Sequence, residues 1–476
     1  MSKGTPLCEL FSVRSRFGRA VNIETDLGRS EALTGYVVTP LVRQLLGRIV
    51  TGLRPGAHTR AWSITGPYGA GKSAAVLLLA RVLGYPVDAD ARGTLTAYDP
   101  QALTELCECT PELARGGFSV VPIVASREPV AMALYRGFAA ALASDGSQVP
   151  EVAECRRQLR NRLSEIQAGQ VPFTQVVCDD VRRVGTLLRT THNGSLGTII
   201  ILDELGKLLE YAAQNPRHSD VYLLQALAEM ANRSGDQPLA ILGILHQSFE
   251  QYASRLSRKE QQEWAKVQGR FEDLAFHQPS NELIHIVGSA IERGSLPASL
   301  IKVIDGEAHH ASQLGLAPRA SPGRSEQASL AMCAPLHPTV TAVLDRLFRS
   351  RLAQNERSVF AFLTSDEPHG LRDSLSQSCW LGDGHRPFYR LDQLYDYVHT
   401  ALGSALYTSL WGKRWAEIED ALDRLKPDAL TLDARLIKSI GLLSLVGDQA
   451  LVKASPDVLR LALADGREVT EAMIDE

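Results

Sequence analysis

The stretch Gly66-Pro67-Tyr68-Gly69-Ala70-Gly71-Lys72-Ser73-Ala74 has the residue types and spacing of a phosphate cradle. It fits G-x-x-x-x-G-K-[ST], in which glycines let backbone N–H groups turn inward at a helix N-terminus and surround an anion. Lys72 would reach the β- and γ-phosphates of a nucleotide, and Ser73 would ligate Mg²⁺. A cradle alone only binds; hydrolysis also needs a metal-holding acid and a group that positions water. Thr198-Ile199-Ile200-Ile201-Leu202-Asp203-Glu204 offers both. Its four apolar residues read as a strand buried on both faces, as in a parallel sheet, with two carboxylates at the carboxyl end where such sheets carry their active groups. Asp203 would hold Mg²⁺ and Glu204 would polarise the attacking water. ATP and Mg²⁺ are therefore the expected ligands.

These residues need elements to place them. Ala61–Thr65 reads as the short buried strand before the cradle, and Ala74–Ala80 as the helix after it. Adjacent Asp-Glu favours the ATPase class that has an extra strand between cradle and acid strand. Phe118–Ala125 fits that extra strand, and Leu239–Leu245 fits one following the acid strand. The latter runs into His246-Gln247-Ser248, where a polar residue would sense the γ-phosphate and the lytic water. Gln247 and His246 both suit the role, and spacing does not choose between them. Ser126 or Arg127, after the extra strand, could couple a ligand to Glu204.

Together these motifs resemble the AAA+ superfamily in its origin-recognition-like branch, and within it the large P-loop ATPases of bacterial anti-phage systems of the BREX and DNA-phosphorothioation types. Four more segments carry the resemblance: Ser15–Asn22, Tyr36–Pro40, Val267–Phe276 and Gln354–Leu363. The resemblance implies a three-layer α/β P-loop core with a parallel sheet, then a helical lid and a C-terminal helical, winged-helix-like region. It implies that Arg270, in Gly269-Arg270-Phe271, is a finger entering a neighbouring subunit's site, and that Arg357 is a lid arginine reaching the γ-phosphate in its own chain. Arg16 and Arg19 could bind nucleotide, partner or solvent, and the segment around Tyr36 lies where an adenine pocket forms. It further implies a homo-oligomer or AAA+ assembly acting with DNA, with the nuclease, methylase or other effector on a separate chain. Relatives are usually longer, so the chain is expected to be part of a larger protein.

The expected domains are an N-terminal segment (1–55), the ATPase core (56–280), a lid (281–365) with a connector at 306–329, and a helical end domain (366–476). Helical spacing marks Ser219–Arg233, Phe249–Lys266, Leu391–Ser409 and Trp415–Leu425, with Trp411 and Trp415 expected in a core. Leu436–Val446 followed by Lys453–Ala464 resembles the opening of a winged helix. Glu151–Thr190 is rich in arginine and could face DNA, but its intermixed acids favour a solvated helix face.

Bulk composition narrows the remaining classes. An apolar fraction of 45% and a charged fraction of 22% are those of a globular chain. The net charge of −4 argues against nucleic acid binding over the whole surface, though not against a local basic face. No apolar run is long enough to span a membrane and no signal core opens the chain, so a cytoplasmic protein without a membrane partner is expected. The seven cysteines are scattered; only Cys107 and Cys109 lie close, and no second pair completes a zinc site. No guanine-reading Asn-Lys-x-Asp follows the acid strand, which argues against a GTPase. A nucleotide-gated scaffold that assembles a partner complex without moving along DNA is the alternative to a motor.

Overall fold

The computed structural model describes residues 4–144, 149–193, 195–215, 221–319, 325–349, 359–403, 405–408, 411–425, 431–446, 452–466 and 469–475. The chain divides into two compact units, Val21–His277 and Met1–Ala20 with Gln278–Glu476.

The first unit is built on five parallel strands: β1 (Ala61–Thr65), β2 (Gly117–Val124), β3 (Ser195–Asp203), β4 (Leu239–Leu245) and β5 (Glu272–Ala275), in the order β2-β3-β4-β1-β5. The central strands are continuous apolar runs because both faces are covered. All seven residues of β4 are buried, whereas edge strand β5 alternates between half-buried and exposed residues. Neighbouring residues of one strand enter different cores. Ile200, Leu202 and Ile241 pack in one cluster, and Ile199, Ile201 and Leu242 in another. Helices α1 (Pro40–Leu53) and α2 (Lys72–Leu83) supply the second cluster. Helices α3 (Val130–Ser144), α4 (Pro150–Gln167), α5 (Thr174–Thr191), α6 (Leu205–Gln214) and α7 (Val221–Asn232) supply the first. The result is a three-layer α/β sandwich with a parallel sheet, the fold class expected from the motifs.

Several local readings change. The helical stretch expected over Phe249–Lys266 is two helices, Phe249–Tyr252 and α8 (Arg258–Gln268). Ser257 starts the second with a reciprocal capping box to Glu260, which a hydrophobic pattern alone does not register. The acid strand begins three residues earlier than Thr198, at Ser195. Residues 21–55, assigned above to an N-terminal segment, belong to the sheet-bearing unit. There Thr39 caps α1, and Val42, Leu46 and Ile49 of that helix join the core with Trp62 and Ile64.

The other unit is mostly helical, and its first residues are tied to distant ones by strand pairing. Thr5–Pro6 pairs antiparallel with Cys379–Trp380, and Phe11–Val13 with Ile291–Arg293. Phe17 stacks on Phe360 with ring centroids 5.3 Å apart, joining two of the segments that carried the resemblance. One apolar core runs from Leu7 through Val343, Phe362 and Tyr395 to Leu461, so the lid and end domain expected as separate pieces share a single interior. Within the expected connector at 306–329, helix Ala298–Gln313 continues to Gln313 and a second helix occupies Glu326–Met332; residues 320–324 lie outside the description. Trp415 is fully buried, stacked on Tyr395 at 4.6 Å, while Trp411 is only partly buried. The end region is helical at Thr431–Val446 and Pro456–Leu463, and no strand pair for a wing follows among the described residues.

A buried ionic cluster sits inside this unit. Glu307 accepts a hydrogen bond from His337 Nε2 (3.3 Å) and pairs with Arg386 (3.1 Å), and Arg390 donates to the carbonyls of Ala462 and Ala464. Burial, with Arg390 and Arg386 nearby, holds the His337 pKa down at about 4. Burial alone would raise the Glu307 pKa, but His337, Arg386 and Arg390 outweigh it and keep the carboxyl below its ordinary value. The unfolded histidine titrates near ~6.5, so between about 6.5 and 4 the unfolded chain takes up a proton that the folded chain refuses. The stability contributed by neutral His337 is complete above that window and is lost as the pH falls through it. Urea denaturation of His337→Gln should therefore show a pH dependence shallower than that of the parent, by up to about 1.4 kcal/mol per pH unit over that range. Equal slopes would contradict this account.

Candidate functional site

The cradle leaves β1 and enters α2. Gly69 and Gly71 sit at φ +69° and +88°, a left-handed region that glycine reaches without strain. Gly66 is constrained differently: a Cβ there would lie 2.2 Å from the Phe276 carbonyl oxygen, so the loop passes against the end of β5 only because the side chain is absent. Gly71 caps α2 without any side-chain hydrogen bond, leaving the N-terminus of a twelve-residue helix to offer its N–H groups to an anion.

Lys72 is buried, and its ammonium donates to the carbonyls of Gly66 (2.6 Å) and Pro67 (2.7 Å) and to His246 Nδ1 (3.1 Å). Burial lowers its pKa to about 8 against the opposing pull of Asp203 and Glu204. Ser73 Oγ lies 3.3 Å from Asp203 Oδ1, and that carboxylate also accepts from the Glu204 N–H at 3.0 Å. Asp203 is buried and forms no ion pair among the described residues. Burial, reinforced by the adjacent Glu204 charge, raises its pKa. Glu204 is half-buried and accepts from His246 Nε2 at 3.1 Å, with Lys207 at 3.6 Å. The bond from His246 keeps its carboxyl below the ordinary range.

Strand order explains why His246 is the bridging residue. β4 lies between β3 and β1, so the residue leaving β4 stands between the acids after β3 and the cradle after β1. Tyr68 of the cradle stacks on the His246 ring, with centroids 3.4 Å apart and planes at 17°. Of the two residues the sequence left open, His246 touches both Lys72 and Glu204; Gln247 is half-buried and makes no side-chain hydrogen bond among the described residues. Ser126 and Arg127 do not couple to Glu204. Both are exposed, and Arg127 pairs with Glu210 at 2.9 Å. The bridge by His246 and the Tyr68 stack have no motif signal and follow from sheet order, whereas the Lys207 contact is a local i,i+3 pair at the start of α6.

Arg270 lies just before β5, half-exposed, with Nε 2.9 Å from Glu229 of α7. Glu272 pairs with Trp62 near the start of β1, whereas the cradle follows the end of β1. Arg270 is therefore at the opposite edge of the sheet, about 20 Å along the strands from its own cradle. Tyr36 is half-buried against the core on the α1–α2 face. Arg16 and Arg19 belong to the other compact unit, and Arg357 falls outside the described residues. Among the described residues no three His, Cys, Asp or Glu side chains come together as a metal site, and no helix is long and apolar enough to cross a membrane.

No known family profile and no curated protein matches the chain. Among solved structures it is similar to the ORC2 protein of Aeropyrum pernix in its ADPNP–ADP complexes. The identity is 15%, the TM-score 0.32, and 91% of this chain and 99% of that one are covered. The ADP form of the same protein gives 15%, 0.31, 92% and 90%.

Gly66→Ala tests the close approach at the cradle. The forced overlap with the Phe276 backbone should cost about 1–3 kcal/mol of stability and displace the loop. ADP titration should show at least about tenfold weaker binding (about 1.4 kcal/mol), together with a lowered thermal unfolding midpoint. Unchanged affinity would mean that the loop accommodates the methyl group.

Proposed function

We propose that the chain binds and hydrolyses ATP, as an AAA+-type motor or switch working in an oligomer. The observation that supports this most is the convergence of Lys72, Ser73, Asp203, Glu204 and His246 at the carboxyl ends of β1, β3 and β4, joined in one chain of hydrogen bonds. Ser73 Oγ and the Asp203 carboxylate fit a divalent cation: the carboxylate is buried without an ion pair among the described residues, and the hydroxyl stands beside it. Mg²⁺ held there would neutralise phosphate charge during transfer.

The residues of the chain account for the remaining steps. The N-terminus of α2 and the glycine-lined loop hold phosphate oxygens, and Lys72 turns toward the β- and γ-phosphates, giving up its bond to His246. Glu204, ionised at neutral pH, takes a proton from the attacking water as its oxygen bonds the γ-phosphorus and the bond to the β,γ-bridging oxygen breaks. The distance of Arg270 from its own cradle and its exposure support a role in a neighbouring subunit's site once it leaves Glu229.

Coupling to nucleic acid in anti-phage defence, with the effector on a separate chain, rests on the sequence resemblance. One observation favours the scaffold alternative, in which ATP drives assembly without movement along DNA. Three of the seven arginines of α4 and α5 that could have faced DNA are paired with acids one turn away: Arg157 with Glu154, Arg162 with Glu165, and Arg182 with Asp179. DNA-stimulated turnover that falls steeply with salt supports the motor; slow turnover indifferent to DNA supports the scaffold.

Two measurements test the enzyme itself. Lys72→Ala should abolish nucleotide binding, and Glu204→Gln should bind ATP while turning over about 10²–10⁴-fold more slowly; wild-type turnover by Glu204→Gln would remove the assigned base. Arg270→Ala should keep binding and lose hydrolysis by about 10³-fold or more. Mixing Arg270→Ala with Lys72→Ala subunits should restore part of the activity, and no rescue at any ratio would exclude action across subunits.

A further inference from the structure

His246 does more in this structure than follow a strand. Its Nδ1 faces the Lys72 ammonium at 3.1 Å and its Nε2 faces Glu204 Oε1 at 3.1 Å. An ammonium can only donate, so Nδ1 must carry the lone pair. A carboxylate can only accept, so the proton must be on Nε2. One neutral tautomer thus satisfies both contacts. The three donors of Lys72 are then fully used, by Gly66, Pro67 and His246. The ring is clamped from the cradle's own side by Tyr68.

We propose that His246 is a positioning residue that holds the phosphate-binding lysine and the water-polarising carboxylate together and competes with nucleotide phosphate for that lysine. The inference rests on the ATPase reading above and concerns its regulation. Phosphate oxygens compete for Lys72 and take it from Nδ1. The imidazole, bonded to Glu204 alone, then holds that carboxylate in place with Nδ1 exposed to the space where Lys72 had been. Binding therefore works against this bridge, whereas hydrolysis depends on the same ring to orient Glu204. Removing the imidazole should move the two quantities in opposite directions, an outcome that a merely structural role for His246 does not give.

The test is ADP titration by calorimetry in EDTA, alongside steady-state ATPase assays with Mg²⁺, on the full chain. His246→Ala should bind ADP about threefold to tenfold more tightly than the parent, because one competing hydrogen bond to Lys72 is gone, while kcat falls at least about tenfold. Tyr68→Ala, a change at an exposed loop residue, should move affinity in the same direction by a smaller factor and serves if His246→Ala does not fold. In the empty protein, nitrogen NMR of His246 should show an unprotonated Nδ1 and a protonated Nε2, with the Nδ1 signal shifting when ADP is added. Weaker or unchanged ADP binding by both variants, or a proton on Nδ1 in the empty protein, would overturn the proposal. If the parent chain itself binds neither ADP nor ATP, the ATPase reading fails instead.

Discussion

The architecture of the first unit depends on keeping a buried ammonium satisfied at the edge of a parallel sheet. Burial disfavours the Lys72 ammonium, and the interior offers it only what the backbone and neighbouring strands bring. Two carbonyls from the turn of the cradle and one imidazole from β4 supply its hydrogen bonds, and the carboxylates after β3 supply the compensating charge. Each partner comes from a different segment of sequence. The constraint is met only when the strands lie in the order that places β4 between β1 and β3. That order requires crossover connections, so helices must cover both faces, and the central strands must be apolar along their whole length.

This explains what could be read from the sequence and what could not. The cradle, the acid pair and the central strands were legible because each is a local pattern: a glycine spacing, or an apolar run ending in Asp-Glu. β4 was placed at Leu239–Leu245 with the bounds found in the structure, because nothing but burial shapes it. The choice between His246 and Gln247 was not legible. Adjacent residues leaving a strand differ in direction, and only neighbouring strands show which one meets a partner. The break before α8 was hidden because a cap is a hydrogen-bond pattern, not a hydrophobic one.

The first twenty residues illustrate a different limit. Their composition reads as a lead-in to the ATPase core, yet Phe11–Val13 pairs with Ile291–Arg293 and Thr5–Pro6 with Cys379–Trp380. Pairings across some 280 and 370 residues leave no periodicity near either partner. Arg270 shows the same limit at a single residue. The family resemblance implies a role in a neighbour's site, but its present partner, Glu229, lies on a helix forty residues earlier, and nothing in either segment announces the pair.

The backbone at Glu204 shows which demand prevails where fold and chemistry compete. It adopts φ +59°, ψ 33°, a left-handed conformation that costs an ordinary side chain about 1–2 kcal/mol. Asparagine or glycine would be the residues of choice for such a corner between β3 and α6. Neither supplies a carboxylate that reaches His246 while its own N–H turns back to Asp203. The corner is tight because α6 begins at Leu205, with no spacer after the strand. A longer connection would relax the backbone, but it would also free the carboxylate from the sheet edge, where Asp203, Ser73 and Lys72 are fixed. The strain is small beside the loss of orientation that a relaxed loop would bring, and it is a local cost that tightly packed surroundings sustain. Glutamate at this position is therefore better explained by the chemistry of the carboxylate than by the preference of the turn.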